Sequence, residues 1–156
     1  MTREQFTDMI QTEQEPLRRF LLALCCGNRD DADDIAQDAL VKAYLSLSKY
    51  EGTTWLYRIA YNLFADMARC RRDMQPIDIL GKQEDFTFAA DRDFRYQSLY
   101  IALEQLPPKE RTAILLFYLK GYSIKEISDI VDATEDAVKK QLSRGRDKLK
   151  TLLKYE

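Results

Sequence analysis

The stretch SIKEISDIVDATEDAVKKQLSRGRDKLKTLLK, Ser123 to Lys154, decides the fold. Ser123 and Glu126 form an S-x-x-E capping box, a sequence signature of a helix start. Ile124, Ile127, Ile130 and Val131 then recur at helical spacing. Asp132-Ala133-Thr134 breaks the pattern with short polar residues that favour turns and N-caps. A second apolar stripe follows at Val138, Leu142, Leu149 and Leu152/Leu153, interleaved with Lys139, Lys140, Arg144, Arg146, Lys148, Lys150 and Lys154. From Val138 to Lys154 only Asp147 opposes that positive charge. A short helix, a tight turn and a longer basic helix predict a helix-turn-helix reader of duplex DNA.

Working outward, Tyr96 to Leu106 carries Leu99, Leu103 and Leu106 on one side, and Pro107-Pro108 stops it. A further helix, PKERTAILLFYLKG, starts at Pro108, with Ala113, Leu116, Phe117 and Leu119/Lys120 as its apolar side and Gly121 as its C-cap. The C-terminal part is therefore a four-helix unit from Tyr96 onward. Before it, Asp73 to Arg95 has weak periodicity and six acids against three bases. It reads as a linker with at most one short helix.

The N-terminal part is helical as well. Gln5 to Cys26 reads as one helix or two, with Pro16 opening the second, and Gly27-Asn28 as the C-cap. Asp30 to Tyr50 is the next helix, buried on Ile35, Ala36, Ala39, Leu40, Ala43 and Leu47. Its four early aspartates suit the positive end of a helix dipole. They also fit an acidic docking face, and locally the capped, solvated helix start is favoured. Thr53 or Thr54 caps a third helix, ending at Arg72, with Leu56, Ile59, Leu63 and Met67 as its apolar stripe. Its other sides hold Trp55, Tyr57, Arg58, Tyr61, Asn62 and Asp66, and its end holds Arg69, Arg71 and Arg72. Rings and arginines on one helix suit single-stranded nucleic acid, through stacking and phosphate attraction. Periodicity alone favours packing for the rings.

Composition bounds the rest. The 156 residues include five glycines and four prolines, which argues for an all-α chain. The net charge is −2, so a nucleic-acid binder here must segregate its charge, as the last helix does. There is no histidine, which removes the commonest general base and metal ligand. With no glycine-rich phosphate loop and no framed acid–base cluster, an enzyme, a cofactor or a metal has little support. Cys25, Cys26 and Cys70 lack metal spacing and read as reduced, mostly packed thiols of a cytoplasmic protein. No apolar run reaches the ~20 residues that a membrane helix needs, and the start MTREQFTDMI has no signal-peptide core.

Three stretches together resemble a known family, the two-domain bacterial sigma factors of the extracytoplasmic-function group. DADDIAQDALVKAY (Asp31–Tyr44) is similar to the family's polymerase-docking helix. TWLYRIAYNLFADMARCRR (Thr54–Arg72) is similar to its T-W-L-x-x-I-A-x-N-x-x-x-D-x-x-R segment at the minus-ten element. Leu106–Leu149 is similar to its fourth region, with L-P-x-x-x-R and V-K-x-x-L-x-R-x-R. Together they cover about half of the chain.

The resemblance implies an all-α fold of two domains. These are a region-2-like bundle at 1–72 and a region-4-like four-helix helix-turn-helix domain at 96–156, joined by a linker at 73–95. It implies core RNA polymerase, promoter DNA and an anti-sigma factor as partners, in the cytoplasm, with no membrane insertion and no small-molecule substrate. Polymerase docking falls to Asp33, Asp34, Gln37 and Asp38, which makes the acidic face functional. Arg58, Tyr61, Asn62 and Asp66 lie against opened promoter DNA, and Arg69, Arg71 and Arg72 meet its phosphates. Trp55, Leu56 and Ile59 stay in the core. Glu135, Asp136, Lys139, Lys140 and Ser143 face the minus-thirty-five major groove, with Arg144 and Arg146 on phosphates.

Two departures stand out. Only Glu51-Gly52-Thr53 separates Tyr50 from Thr54, where the family has a longer base-capturing loop. Either the loop is shortened or the sequence omits a mobile stretch, and the second is expected, because such a loop moves without DNA. The recognition helix also has Asp136 where the family often has Gly, and Gln141 and Gly145 where it often has Arg and Ala. Gly145 costs about 1 kcal/mol of helix propensity. The alternatives are a helix-turn-helix regulator that binds duplex as a dimer, which leaves Thr54–Arg72 unexplained, and an interaction-only helical protein.

Overall fold

The computed structural model of the chain describes residues 2–49, 52–73 and 94–153, and every regular element among them is helical. α1 (Arg3–Leu24) opens on a capping box, with Thr2 accepting from the Gln5 amide at 3.2 Å and Gln5 accepting from the Thr2 amide at 3.0 Å. Pro16 does not start a new helix, as the sequence suggested; it lies inside this single one. A mid-helix proline costs about 3 kcal/mol. Phe6, Leu17, Phe20, Leu21 and Leu24 are all buried on the continuous helix. Each contributes about 1.5–3 kcal/mol, so their sum outweighs the break.

Cys26 and Gly27 adopt left-handed φ values of 56° and 91° to turn the chain. Asn28 does not cap α1; it caps the next helix, accepting from the Asp31 amide at 3.1 Å. α2 spans Arg29–Leu45, shorter than the predicted run to Tyr50, and Leu47–Lys49 is a tight 3-10 turn. Only residues 50–52 separate that turn from α3 (Thr53–Asp73). Residues 50 and 51 of that link lie outside the described part, and so does the expected base-capturing loop.

Residues 74–93 lie outside the described part, so most of the predicted linker does too. α4 spans Phe94–Gln105, starting two residues before the predicted Tyr96. α5 (Pro108–Ile114) runs into a π-helical turn at Leu115–Leu119. The wider turn re-aims its side chains. Leu115 and Leu116 are buried, but Leu119, expected on the apolar side, is 49% exposed. Gly121 closes the segment at φ 73°, a left-handed value that glycine adopts without strain.

The helix-turn-helix forms as the sequence dictates. In α6 (Ile124–Val131) Ser123 accepts from the Glu126 amide at 3.1 Å, and Glu126 accepts from the Ser123 amide at 3.0 Å. Asp132 ends α6 in the left-handed region, and Thr134 accepts from the Ala137 amide at 3.1 Å to start α7 (Glu135–Leu153).

The helix groups α1–α3 and α4–α7 share one contiguous core. α3 packs along α6, and α1 meets the π turn and α5. Two features hold this together. Gly145 lets α7 approach α5: a Cβ there would stand 2.8 Å from Ile114 Cγ1 and 3.6 Å from the Glu110 carbonyl. That close approach is what offsets the lost helix propensity. Arg111, buried at 9% exposure, donates to three backbone carbonyls: Leu103 at 2.9 Å, Leu106 at 3.0 Å and Leu24 at 2.9 Å. Carbonyls at a helix end lack partners within the helix, and a cation there also complements the dipole.

Two outcomes follow for stability. Arg111→Lys, one point charge in place of a planar fork, lowers the unfolding free energy by about 2–3 kcal/mol in urea titrations. Gly145→Ala gains about 1 kcal/mol of propensity but meets a buried isoleucine, and overpacking costs about 1–3 kcal/mol. Its melting temperature falls or stays level; a clear rise would refute the packing role.

Candidate nucleic-acid interface

Three surfaces hold the sequence-derived candidates. The first is the solvent side of α2. Its core side is small, with Ala32, Ile35, Ala36, Ala39 and Ala43 buried, and Asp33, Asp34, Gln37 and Asp38 are all exposed on the other side. Helical spacing extends that stripe to Val41 and Leu45, which are 56% and 76% exposed. Sequence reasoning passed over both, although an apolar residue on the outer face of an acidic helix was a readable signal. The surface is thus acidic at its start and apolar at its end.

The second surface is on α3. Arg58, Asn62, Asp66, Arg69 and Arg72 are exposed and recur at three- and four-residue spacing along one side. Arg69 pairs with Asp66 one turn away. Arg71 is placed differently, as it forms a two-pronged pair with Asp31 at 2.5 and 2.7 Å, tying the end of α3 to the start of α2. Tyr61 is half-buried, and burial pushes its hydroxyl above the usual range. Leu56 is fully buried, while Trp55 and Ile59 pack against the core half-exposed.

Tyr57 departs most from expectation. The sequence placed it on an outer side of its helix, yet it is fully buried between the two helix groups. Its ring meets Phe20 at 5.3 Å and Tyr122 at 5.7 Å, both edge-on. Its hydroxyl donates to Glu13 at 3.2 Å, and Lys120 reaches the same Glu13 oxygen at 3.3 Å. Burial, and then the Glu13 carboxylate, pushes that hydroxyl well above its ordinary range, so it remains a donor.

The third surface is α7. Glu135, Asp136, Lys139, Lys140, Ser143, Arg144 and Arg146 are all exposed, while Val138, Leu142 and Gly145 are buried. The two arginines diverge. Arg146 donates to the Leu142 carbonyl and to the Tyr118 hydroxyl, whereas Arg144 lines a cavity of about 1170 Å³ with Tyr61, Arg69, Arg72 and Lys109. Lys148 is held by Glu110 at 2.9 Å, which leaves it a structural role.

A free, exposed reader on α7 and a basic stripe on α3 suit two kinds of nucleic-acid contact, duplex and single strand. The described residues hold no cluster of metal-ligating side chains and no helix long and apolar enough to cross a membrane.

Known proteins carry the same two parts in the same order. The Sigma-70 region 2 family model matches residues 9–73, and the Sigma-70 region 4 model matches residues 96–149. The sigma factor SigM of Mycobacterium tuberculosis is 31% identical over 98% of this chain and 79% of its own length. The chain belongs to the extracytoplasmic-function RNA polymerase sigma factors. SigE of Mycolicibacterium smegmatis is 33% identical over 81% of this chain, which spans 53% of that longer relative. The sigma factor RpoE of Bartonella quintana, solved with the anti-sigma factor NepR, superposes with a TM-score of 0.78. It is 25% identical, covering 97% of this chain and 98% of that one. As a sigma factor, the protein directs promoter recognition in transcription initiation.

No cysteine of this sigma factor is in a disulfide: Cys26 is buried, Cys25 half-buried and Cys70 exposed. Burial, with Asp31 second, pushes the Cys25 thiol from its ordinary 9.0 up to about 12. The folded protein thus holds a proton that the unfolded chain releases near pH 9. Stability is full below that pH and falls as pH rises toward 12. Cys25→Ala therefore flattens the alkaline limb of a denaturation-against-pH series, and an unchanged slope would assign the alkaline loss to other groups.

Proposed function

We propose that α2 docks on core RNA polymerase through Asp33, Asp34, Gln37 and Asp38, with Val41 and Leu45 extending the contact. α3 and α7 then hold the two promoter elements. The observation that carries this reading is the segregation of charge. One all-α chain of net charge −2 exposes an acidic-to-apolar helix face and, separately, a basic recognition helix.

On α7, Glu135, Asp136, Lys139, Lys140 and Ser143 face the minus-thirty-five major groove, where side chains near base edges read sequence. Arg144 and Arg146 sit toward phosphates, which position the helix without specifying bases. On α3, Arg58, Asn62 and Asp66 lie along the opened minus-ten strand, with Tyr61 beside them. Arg69 and Arg72 meet its phosphates. Arg71, committed to Asp31, contributes least to that attraction.

The division of labour falls at residues 73–95, between a polymerase-docking and minus-ten part at 1–72 and a minus-thirty-five part at 96–156. Each part alone grips DNA weakly, and tethering through polymerase raises the effective concentration. The protein works in the cytoplasm. An anti-sigma factor, as in the Bartonella RpoE complex, is the expected regulator.

Run-off transcription with core polymerase on genomic fragments tests the assignment, which predicts discrete start sites. Asp34→Lys with Asp38→Lys weakens core binding at least tenfold while the isolated protein keeps its helicity. Lys139→Glu with Lys140→Glu leaves core binding intact but abolishes initiation. Each lost phosphate contact on α3 lowers the salt slope of promoter binding by about 0.7–0.9, so Arg72→Ala lowers it and Arg71→Ala barely does. A stable dimer on palindromic duplex without polymerase would favour a helix-turn-helix regulator instead.

A further inference from the structure

The stripe that α7 turns to solvent does not end at Ser143. Lys139, Ser143 and Arg146 follow one another at four- and three-residue steps and are all exposed, so they share one side of the helix. At about 1.5 Å per residue, Arg146 lies roughly 10 Å beyond Lys139 along the axis. A recognition helix reads base edges with its N-terminal residues, and the major groove is only about 12 Å wide. On the promoter assignment above, on which this inference rests, Arg146 therefore stands where the helix leaves the groove and a phosphate strand passes.

Arg146 is held there. Its Nε donates to the Leu142 carbonyl at 3.3 Å, and its Nη1 donates to the Tyr118 hydroxyl at 3.2 Å. Two bonds at two corners fix a planar guanidinium and leave its remaining hydrogens for a ligand. The tyrosine hydroxyl accepts in its bond, so its own hydrogen is still there to donate. Tyr118 is 57% exposed, a high value for a large ring.

The π turn brings the ring to this place. Tyr118 follows Ile114 and Leu115, both buried, by about one turn, and a regular helix would carry it inward along the same face. Instead the Lys120 amide donates to the Leu115 carbonyl, five residues back, at 3.3 Å, and the widened turn moves Tyr118 out to solvent. Turns of this kind often mark functional positions. Ile114 lies against Gly145, so one turn further on Tyr118 meets the residue that follows that glycine.

We propose that Tyr118 and Arg146 together clamp one phosphate at the edge of the minus-thirty-five duplex. Tyr118 is a positioning residue for the guanidinium and donates its own hydroxyl hydrogen to the same phosphate. The clamp adds affinity and register without reading a base. It extends the DNA contact from the helix-turn-helix onto the segment before it.

Phosphate contacts are independent of sequence, so the test needs no known promoter. The full-length chain is titrated against a fluorescent duplex of mixed sequence, about 30 base pairs long, in potassium chloride from about 20 to 200 mM. Tyr118→Phe removes only an exposed hydroxyl. It is expected to weaken binding about three- to tenfold, with the melting temperature unchanged. Arg146→Ala weakens binding at least as much and lowers the salt slope by about 0.9. The double variant binds less than about twofold more weakly than Arg146→Ala alone, because the clamp is already broken. Fully additive losses would overturn the clamp. So would a Tyr118→Phe protein that binds like wild type, or one whose melting temperature falls in step with its affinity. Lys139→Glu with Lys140→Glu separates this inference from the assignment beneath it. If that variant binds as tightly as wild type, or wild type binds no duplex at the lowest salt, α7 is not the DNA face and both fail. If it loses binding while Tyr118→Phe does not, only the clamp fails.

Discussion

A single guanidinium, that of Arg111, closes the ends of two helices that belong to opposite halves of the chain. Its planar fork points three ways, to the Leu103 and Leu106 carbonyls at the end of α4 and to the Leu24 carbonyl at the end of α1. Burying a charge costs several kcal/mol unless strong partners replace water, and three charge-assisted bonds do so here. The consequences spread outward. α5, which carries Arg111, is fixed against both halves, and α7 is fixed against α5 by the missing side chain of Gly145. The recognition helix is therefore presented with its basic face to solvent. The same arginine that completes the C-terminal helix unit also links it to the N-terminal one.

The surfaces left exposed differ in sign. Asp33, Asp34 and Asp38 stand on α2, which has a core side small enough to pack closely under α1 and α3. Lys139, Lys140, Arg144 and Arg146 stand on α7, which buries only Val138, Leu142 and Gly145 over much of its length. Charges of one sign gathered on one helix set up a local potential that the small net charge of the whole conceals. Lys148 and Arg71 show the complementary case. Each is basic and lies on a helix with an exposed basic side, yet each is held by a carboxylate from a neighbouring helix. Counting positive residues along a helix therefore overstates those available to phosphate.

Much of the fold was legible because its signals are local. The Ser123–Glu126 box, the Asp132 turn and the Thr134 cap act within four residues of themselves, and all three form as the chain spells them. Pro16 misled for the opposite reason. Its local cost is real, but the continuous burial of Leu17, Phe20, Leu21 and Leu24 outweighs it, and that burial is a tertiary quantity. The π turn misled in the same way, because one wider turn rotates Leu119 out to solvent. The candidate site was legible to the degree that family motifs mark it. Val41 and Leu45 were missed because apolar residues on a helix are assumed to face inward.

The sequence by itself determined the helices, their order, the capped helix-turn-helix and the segregation of acidic from basic charge. Each follows from spacing, propensity and charge within a few residues, which need no distant partner. Only the tertiary structure decided that Tyr57 is a seam residue and not an outer one, that Arg71 belongs to Asp31, and that Gly145 is a contact. Only it placed Glu13 against Lys120, 107 positions apart in the chain. Those outcomes depend on which helix faces meet. That choice comes from the summed burial of many side chains, a quantity that no short stretch of sequence contains.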